Sequence, residues 1–317
     1  MLLGTWNLEN LYRPGGPFGP EDKPSYETKL AALAAVITEL DPALLGVQEV
    51  GEPAAFADLV ATVGGDWHTV LSKHPDPRGI RVGVLSRTPL RVLADTKAFS
   101  ARLRPVQGDD RGATAGTAGR GLLAVETDGD AGTLRVAVAH LKSGLLTYPN
   151  GRFRPRDEGE RARFAAYALF RRAAEAAALR ELAGKLLAGD GRVRDVAVLG
   201  DLNDGEEAVT TRMLLGPPGS EPTTAGFDRP DRHDGERLWS VAGHIPADER
   251  FSRVRAGRRE LIDHVLLSRR LIRRVTAAGT GLPAAGPPRL PSVGEDPTRR
   301  RGAPGSDHAP VWVRVDD

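Results

Sequence analysis

Cysteine is absent from the 317 residues, which excludes disulfides, thiolate zinc sites, iron–sulfur clusters and a thiol nucleophile. No apolar run approaches the roughly 20 residues needed to span a bilayer. The opening "MLLGTWNLEN" has no basic stretch leading into a long apolar segment, so no export signal is read and the expected setting is cytoplasmic. The chain also lacks the phosphate loop G-x-x-x-x-G-K-[ST] and the zinc helix H-E-x-x-H, and "DLNDG" does not have the spacing of a calcium loop. Internal repeats, heptads and a disordered tail are missing too, so no obligate protein partner is inferred. A net charge of +2 decides little about partners.

What remains is ordinary globular material, 40% hydrophobic and 27% charged, enough for a substantial core. Strand-like and helix-like segments alternate. "LLGTW" reads as a strand, and 27–40, "ETKLAALAAVITEL", sets Leu30, Leu33, Ile37 and Leu40 on one helical face. Asp41-Pro42 ends that helix and "ALLGVQEV" follows as a buried strand. Pro53 opens a second helix with Phe56, Leu59, Val60 and Val63 as its stripe. Further strands are read in "RVGVLSR", "GLLAVET", "TLRVAVAHL", "DVAVLGDLND", "ELIDHVLLS" and "PVWVRV". A long Ala- and Arg-rich helix is read from about Glu158 to Leu187. The Gly/Pro-rich stretches 13–24, 105–121 and 283–305 read as loops inserted in one domain, 1–317, of the α/β class.

The polar residues collect at strand ends. Asn7 ends the first strand, with Glu9 and Asn10 following; Gln48-Glu49 end the second. "VAVAHLKSG" ends at His140, Lys142 and Ser143, and "VAVLGDLND" at Asp201 and Asn203. Ser306-Asp307-His308 precede the last strand instead, and Asp263 stands near the start of another. An antiparallel strand starts at the edge where its neighbours finish. Six separated segments are therefore expected to converge on one rim. Its donors are oxygen and imidazole with no thiol, which suits Mg²⁺ or Mn²⁺. A divalent ion among carboxylates, with a histidine nearby, is machinery for displacement at phosphorus.

In this order, "TWNLEN", "LLGVQEV", "AHLKSG", "LGDLND", "IDHVLLS" and "SDHAPV" resemble the motifs of the endonuclease/exonuclease/phosphatase superfamily, in its pancreatic deoxyribonuclease-like branch. The superfamily includes deoxyribonucleases, abasic-site endonucleases, sphingomyelinases and inositol-polyphosphate phosphatases. The resemblance runs from Asn7 to His308 and implies a four-layered αββα (α+β) sandwich, two mainly antiparallel sheets face to face with helices outside. It also implies roles: Asn7, Glu49 and Asp307 around a metal; Asp201 and Asn203 on the attacking water and the phosphate; His308, paired with Asp263, as base or phosphate-stabilising imidazole. His140 matches a histidine that contacts phosphate or the leaving group and that abasic-site enzymes lack. Arg120 and the run Arg299-Arg300-Arg301 are candidates for substrate contact. Arg152, Arg154 and Arg156 could line a groove for a polyanion together with that run, but in an arginine-biased chain each of these arginines also reads as an ordinary solvated side chain.

The expectation is a Mg²⁺- or Mn²⁺-dependent phosphodiesterase attacking DNA or RNA with water. A small phosphoester, inositol phosphate or lipid head group is the alternative substrate. A non-catalytic binding module ranks last, because the chain keeps every expected ligand.

Overall fold

The computed structural model describes residues 1–129, 132–222, 224–294 and 296–316. Two six-stranded sheets dominate. The first has the order β15 (Val275–Thr280), β17 (Val311–Val315), β1 (Leu2–Leu11), β2 (Leu44–Val50), β4 (Arg81–Ser86), β3 (His68–Leu71). The second has the order β11 (Leu238–Ser240), β14 (Asp263–Ser268), β10 (Asp195–Asp201), β9 (Gly132–His140), β8 (Thr117–Gly129), β5 (Leu90–Ala98). Each contains one parallel pair, β1 with β2 and β9 with β10; its other pairings are antiparallel. A small sheet of β13 (Arg258–Glu260), β12 (Arg253–Arg255) and β16 (Ser292–Val293), and a ribbon of β6 (Val106–Gln107) and β7 (Thr114–Ala115), stand outside them.

Three apolar layers hold four structural layers together. Leu3, Val84, Val138, Leu199 and Val313 pack between the sheets. Leu33, Ile37, Phe56 and Leu59, from α1 (Lys23–Leu40) and α2 (Pro53–Val63), cover the outer face of the first sheet. Leu179, Leu182 and Ala183 of α3 (Glu158–Leu187) cover the second. Two short helices, α4 (Val209–Leu215) and α5 (Arg269–Ile272), complete the shell. The fold is thus the four-layered sandwich. Central strands are buried on both faces, which is why β1, β2 and β10 read as apolar runs with polar residues gathered near an end.

Several boundaries differ from the sequence reading. The first helix starts at Lys23, four residues early, because the Asp22 side chain accepts the Ser25 amide at 2.8 Å and Pro24 suits the first turn. It ends where expected, at Asp41 in a left-handed conformation ahead of Pro42. The stretch 105–121 carries the β6–β7 ribbon and the start of β8, and 283–305 carries β16. Edge strands β3 and β5 went unread: each has a face half open to water, so its apolar signal is diluted.

The sheets approach closely at Gly46. A β-carbon there would stand 3.1 Å from Val138 Cγ2 and 3.3 Å from Leu199 Cβ in the facing sheet. Gly46→Val should therefore wedge the sheets apart, at a cost of roughly 1–3 kcal/mol for overpacking. Urea unfolding of the two proteins checks it, and equal midpoints would show that the layer yields.

Candidate active site

Two hydrogen bonds cross from one sheet to the other at the floor of a cleft of about 800 Å³. Asn7 Nδ2, on β1, donates to Asp201 Oδ2 at the end of β10, at 3.0 Å. His308, just ahead of β17, has Nδ1 at 2.7 Å from Asp263 Oδ2 at the start of β14. All four residues are buried. Hydrogen bonds to charged groups contribute roughly 1.5–3 kcal/mol each. The 306–308 segment is pinned over β1 by two more, Trp6 Nε1 to the His308 carbonyl at 2.8 Å and Ser306 Oγ to the Asn7 carbonyl at 2.6 Å, and is closed on itself by the His308 amide to Ser306 Oγ at 3.0 Å.

Four residues around this floor lie in the left-handed region: Glu9 (φ 49°), Asn10 (φ 52°), Glu49 (φ 60°) and Asn203 (φ 54°). Such a backbone costs a residue with a β-carbon roughly 1–2 kcal/mol. The neighbouring polar side chains offset it. The Glu9 amide donates to Asn7 Oδ1, the Asn10 amide to Glu49 Oε2 and the Asn203 amide to Asp201 Oδ1, each at 2.9 Å. Lys29, reaching up from α1, donates to the Glu9 carbonyl. The tight turns leave each strand and aim its last side chains into the cleft.

Asn7, Glu49, Arg120, His140, Asp201, Asn203, Arg299, Arg300, Asp307 and His308 all line that cleft. Asp263 stands behind His308, fully buried. Arg301 is not brought there; it donates to the carbonyls of Gly16 and Gly19. Arg300 faces the cleft, but its guanidinium grips Glu9 at 2.5 and 2.7 Å. Arg299 lies 3.9 Å from Asp296, and Arg120 3.3 Å from Asp76. Arg152 and Arg154 also line the wall, the former tied to Glu160 at 2.8 Å, while Arg156 does not.

Glu9 went unassigned in the sequence reading and is central here: besides holding Arg300, it accepts the Asp307 amide at 2.8 Å. Its signal was available, an acid two residues after Asn7 on a strand otherwise buried on both sides. Arg78 and Arg253, also in the cleft, carried no distinguishing signal among so many arginines. In "DLND", Asp204 turns away from the cleft to Arg172, at 2.7 Å.

One turn of α3 clamps three of the surrounding segments. Glu175 accepts the amides of Gly119, at 2.9 Å, and Lys142, at 2.5 Å. Arg172 holds Asp204 and donates to the Lys142 carbonyl at 3.0 Å.

Charge at the floor is tuned by burial. Burial first, and the Asp263 carboxylate second, push Asp201 up to about 7. Burial by itself would push His308 down, but Asp263, Asp307 and Asp201 outweigh it and hold the imidazole at about 10. His140, with Nε2 3.4 Å from Asp201 Oδ2, is held well below its ordinary value by burial and the Arg120 charge. Its Nδ1 has no hydrogen-bond partner among the described residues.

The donors of Asn7, Glu49 and Asp307 are all oxygens, and the turn from Asn7 to Asn10 links them, Glu9 bonding to Asn7 and to the Asp307 amide and the Asn10 amide donating to Glu49. That chemistry fits a hard divalent cation. Asp201, Asp263 and His308 form a separate buried cluster with ligand atoms within 4.8 Å of one another, which the His308–Asp263 bond already occupies in part.

Residues 4–308 match the model of the Endonuclease/Exonuclease/phosphatase family. No curated protein is similar enough in sequence to count as a relative. Among solved structures, truncated TDP2 of Caenorhabditis elegans superposes with a TM-score of 0.56 at 15% identity, over 98% of this chain and 95% of that one. The 3'-5' exonuclease of Neisseria meningitidis gives 0.56 at 15% identity over 100% of both chains. A mannosyl-6-phosphatase of Bacteroides thetaiotaomicron gives 0.56 at 13% identity, again over 100% of both. At such identities these likenesses show the fold.

Lys142 supplies a test of the wall beside His140. Burial, and next the Arg120 charge, push its ammonium down to about 8, against an unfolded value near 10.4. Between those values the unfolded chain binds more protons, so this group's contribution to stability improves as pH rises from about 8. Stability of the natural protein relative to Lys142→Met should therefore increase between about pH 7 and about pH 10 in urea unfolding. A constant difference would show an ordinary, solvated lysine.

Proposed function

The chain belongs to the endonuclease/exonuclease/phosphatase family, and on that footing we propose that it is a divalent-metal-dependent phosphodiesterase, a nuclease in preference to a phosphomonoesterase. The observation that carries the reading is the pair of cross-sheet contacts, Asn7–Asp201 and His308–Asp263, at the floor of one open, arginine-lined cleft. An arginine-lined cleft of about 800 Å³ suits a polymeric diester better than a small monoester pocket does. That the Neisseria neighbour is described as an exonuclease supports the same choice.

The chemistry is assigned from the two titrating groups. Asp201, raised to about 7 and buried, is the group able to take a proton from water near neutrality. Asn203 donates its Nδ2 to the Leu141 carbonyl at 3.0 Å, which fixes the amide and leaves its Oδ1 to orient that water. His308, kept cationic by Asp263, stabilises negative charge developing on the phosphate oxygens. Neutral His140 and the Arg120 guanidinium, which line the same cleft, contact the phosphate as well. Bound by Asn7, Glu49 and Asp307, Mg²⁺ or Mn²⁺ would supply Lewis-acid neutralisation of phosphate charge.

The test is a metal-supplemented assay on plasmid DNA, single-stranded DNA, RNA, bis-p-nitrophenyl phosphate and p-nitrophenyl phosphate. His308→Ala should lower kcat on the diesters by about 10²–10³-fold. Turnover of the monoester alone would transfer the reading to a small phosphorylated substrate, and equal turnover by the variant would remove His308 from the chemistry. Calorimetric titration with Mg²⁺ or Mn²⁺ should show Glu49→Gln binding at least about tenfold more weakly, with unfolding of the metal-free protein unchanged. An unaltered titration would discard Glu49 as a ligand.

A further inference from the structure

Most arginines in the cleft have an acidic neighbour. Arg78 and Arg120 face Asp76, Arg152 faces Glu160, Arg299 faces Asp296 and Arg300 faces Glu9. Among the described residues, Arg154 and Arg253 line the cleft without an acidic partner. Arg154 is exposed, and water solvates it. Arg253 differs: its Nε is buried and makes no hydrogen bond. Its backbone pairs with His308 in an antiparallel bridge, and its charge reaches Asp201, opposing the rise of that carboxyl. Half-buried and without an ion pair among the described residues, Arg253 leaves its guanidinium to an arriving anion.

Two residues further along β12, Arg255 projects from the same face of the strand. Its Nη1 lies 3.8 Å from where a β-carbon on Gly144 would stand, between the cleft residues Ser143 and Leu145. It too has no acidic partner among the described residues. β12 is held in register by β13 on one side and β16 on the other, so the two arginines are fixed rungs roughly 6.6 Å apart along the strand. That separation is close to the distance between consecutive phosphates on an extended nucleic-acid strand. Guanidinium groups also match phosphate geometry in fork fashion.

We propose that β12 is a two-rung phosphate ladder: Arg253 takes the phosphate undergoing hydrolysis and Arg255 the adjoining phosphate of the same strand. The preferred substrate is then a single strand of nucleic acid carrying consecutive phosphodiesters. This rests on the nuclease reading above and names its substrate class.

Binding without metal separates the ladder from the chemistry. A fluorescein-labelled single-stranded octadeoxynucleotide is titrated with protein in EDTA, by anisotropy, over a range of salt. Arg255→Ala and Arg253→Met should each weaken binding about tenfold at low salt and lower the salt slope by about 0.7, the value for one phosphate contact on a single strand. Arg232→Ala, beside Arg192 at the far end of β10, should bind as the natural protein does. With metal present, Arg255→Ala should raise KM for the octamer far more than KM for methyl p-nitrophenyl phosphate, which has a single phosphate. Arg253→Met should lower kcat/KM on both, with partial rescue by Arg253→Lys. Arg255→Lys, retaining the charge, should keep the salt slope and covers the case in which the alanine variant fails to fold. Unimpaired binding by both variants, or equal losses on octamer and small diester with Arg255→Ala, overturns the ladder. An octamer bound through both arginines but never cleaved overturns the nuclease activity and leaves the ladder standing.

Discussion

The site depends on a distance: the separation of two sheets that share no strand. Asn7 lies on a strand of one sheet and His308 just ahead of another of its strands, while Asp201 and Asp263 lie on strands of the other sheet. The hydrogen bonds between them form only while the apolar layer between the sheets keeps its thickness. Leu3, Val138 and Leu199 set that thickness, and Gly46 lets the central parallel pairs come close beneath the floor. Core packing and the geometry of the cleft floor are therefore one mechanical problem. A side chain too large in the middle layer acts on an imidazole that it never touches.

Much of this was legible in the residues, for a physical reason. A strand buried on both faces must be apolar throughout, so β1, β2, β9 and β10 stand out, and the polar groups that interrupt them mark their ends. The reversal at Ser306-Asp307-His308, polar before apolar, reflects β17 running antiparallel to β1. Edge strands β3 and β5 and the short β12 and β13 escaped notice because half-solvated strands carry mixed residues. Glu9 was visible as an acid but not as a keystone, since gripping Arg300 and the Asp307 amide is a property of three-dimensional placement.

The arginines were the least readable. Arg299, Arg300 and Arg301 are consecutive in sequence, yet one faces Asp296, the next holds Glu9, and the third caps carbonyls at Gly16 and Gly19. Which guanidinium is left for a ligand is decided by where carboxylates stand, and that is a question of folding rather than composition. Arg253 lines the cleft with a buried Nε that makes no hydrogen bond and with no ion pair among the described residues.

The turn of α3 that holds Gly119, Lys142 and Asp204 gives the cleft a shared hinge pin. Segments from three strands take their position from two side chains, Arg172 and Glu175, on one rigid 30-residue helix. Errors introduced at that pin would propagate to the three loops together and in a fixed proportion. Variants of Arg172 and Glu175 would then not combine additively, since each already perturbs what the other supports. Diversity in the rim can accumulate along the loops, whereas the pin must change as a unit or stay as it is.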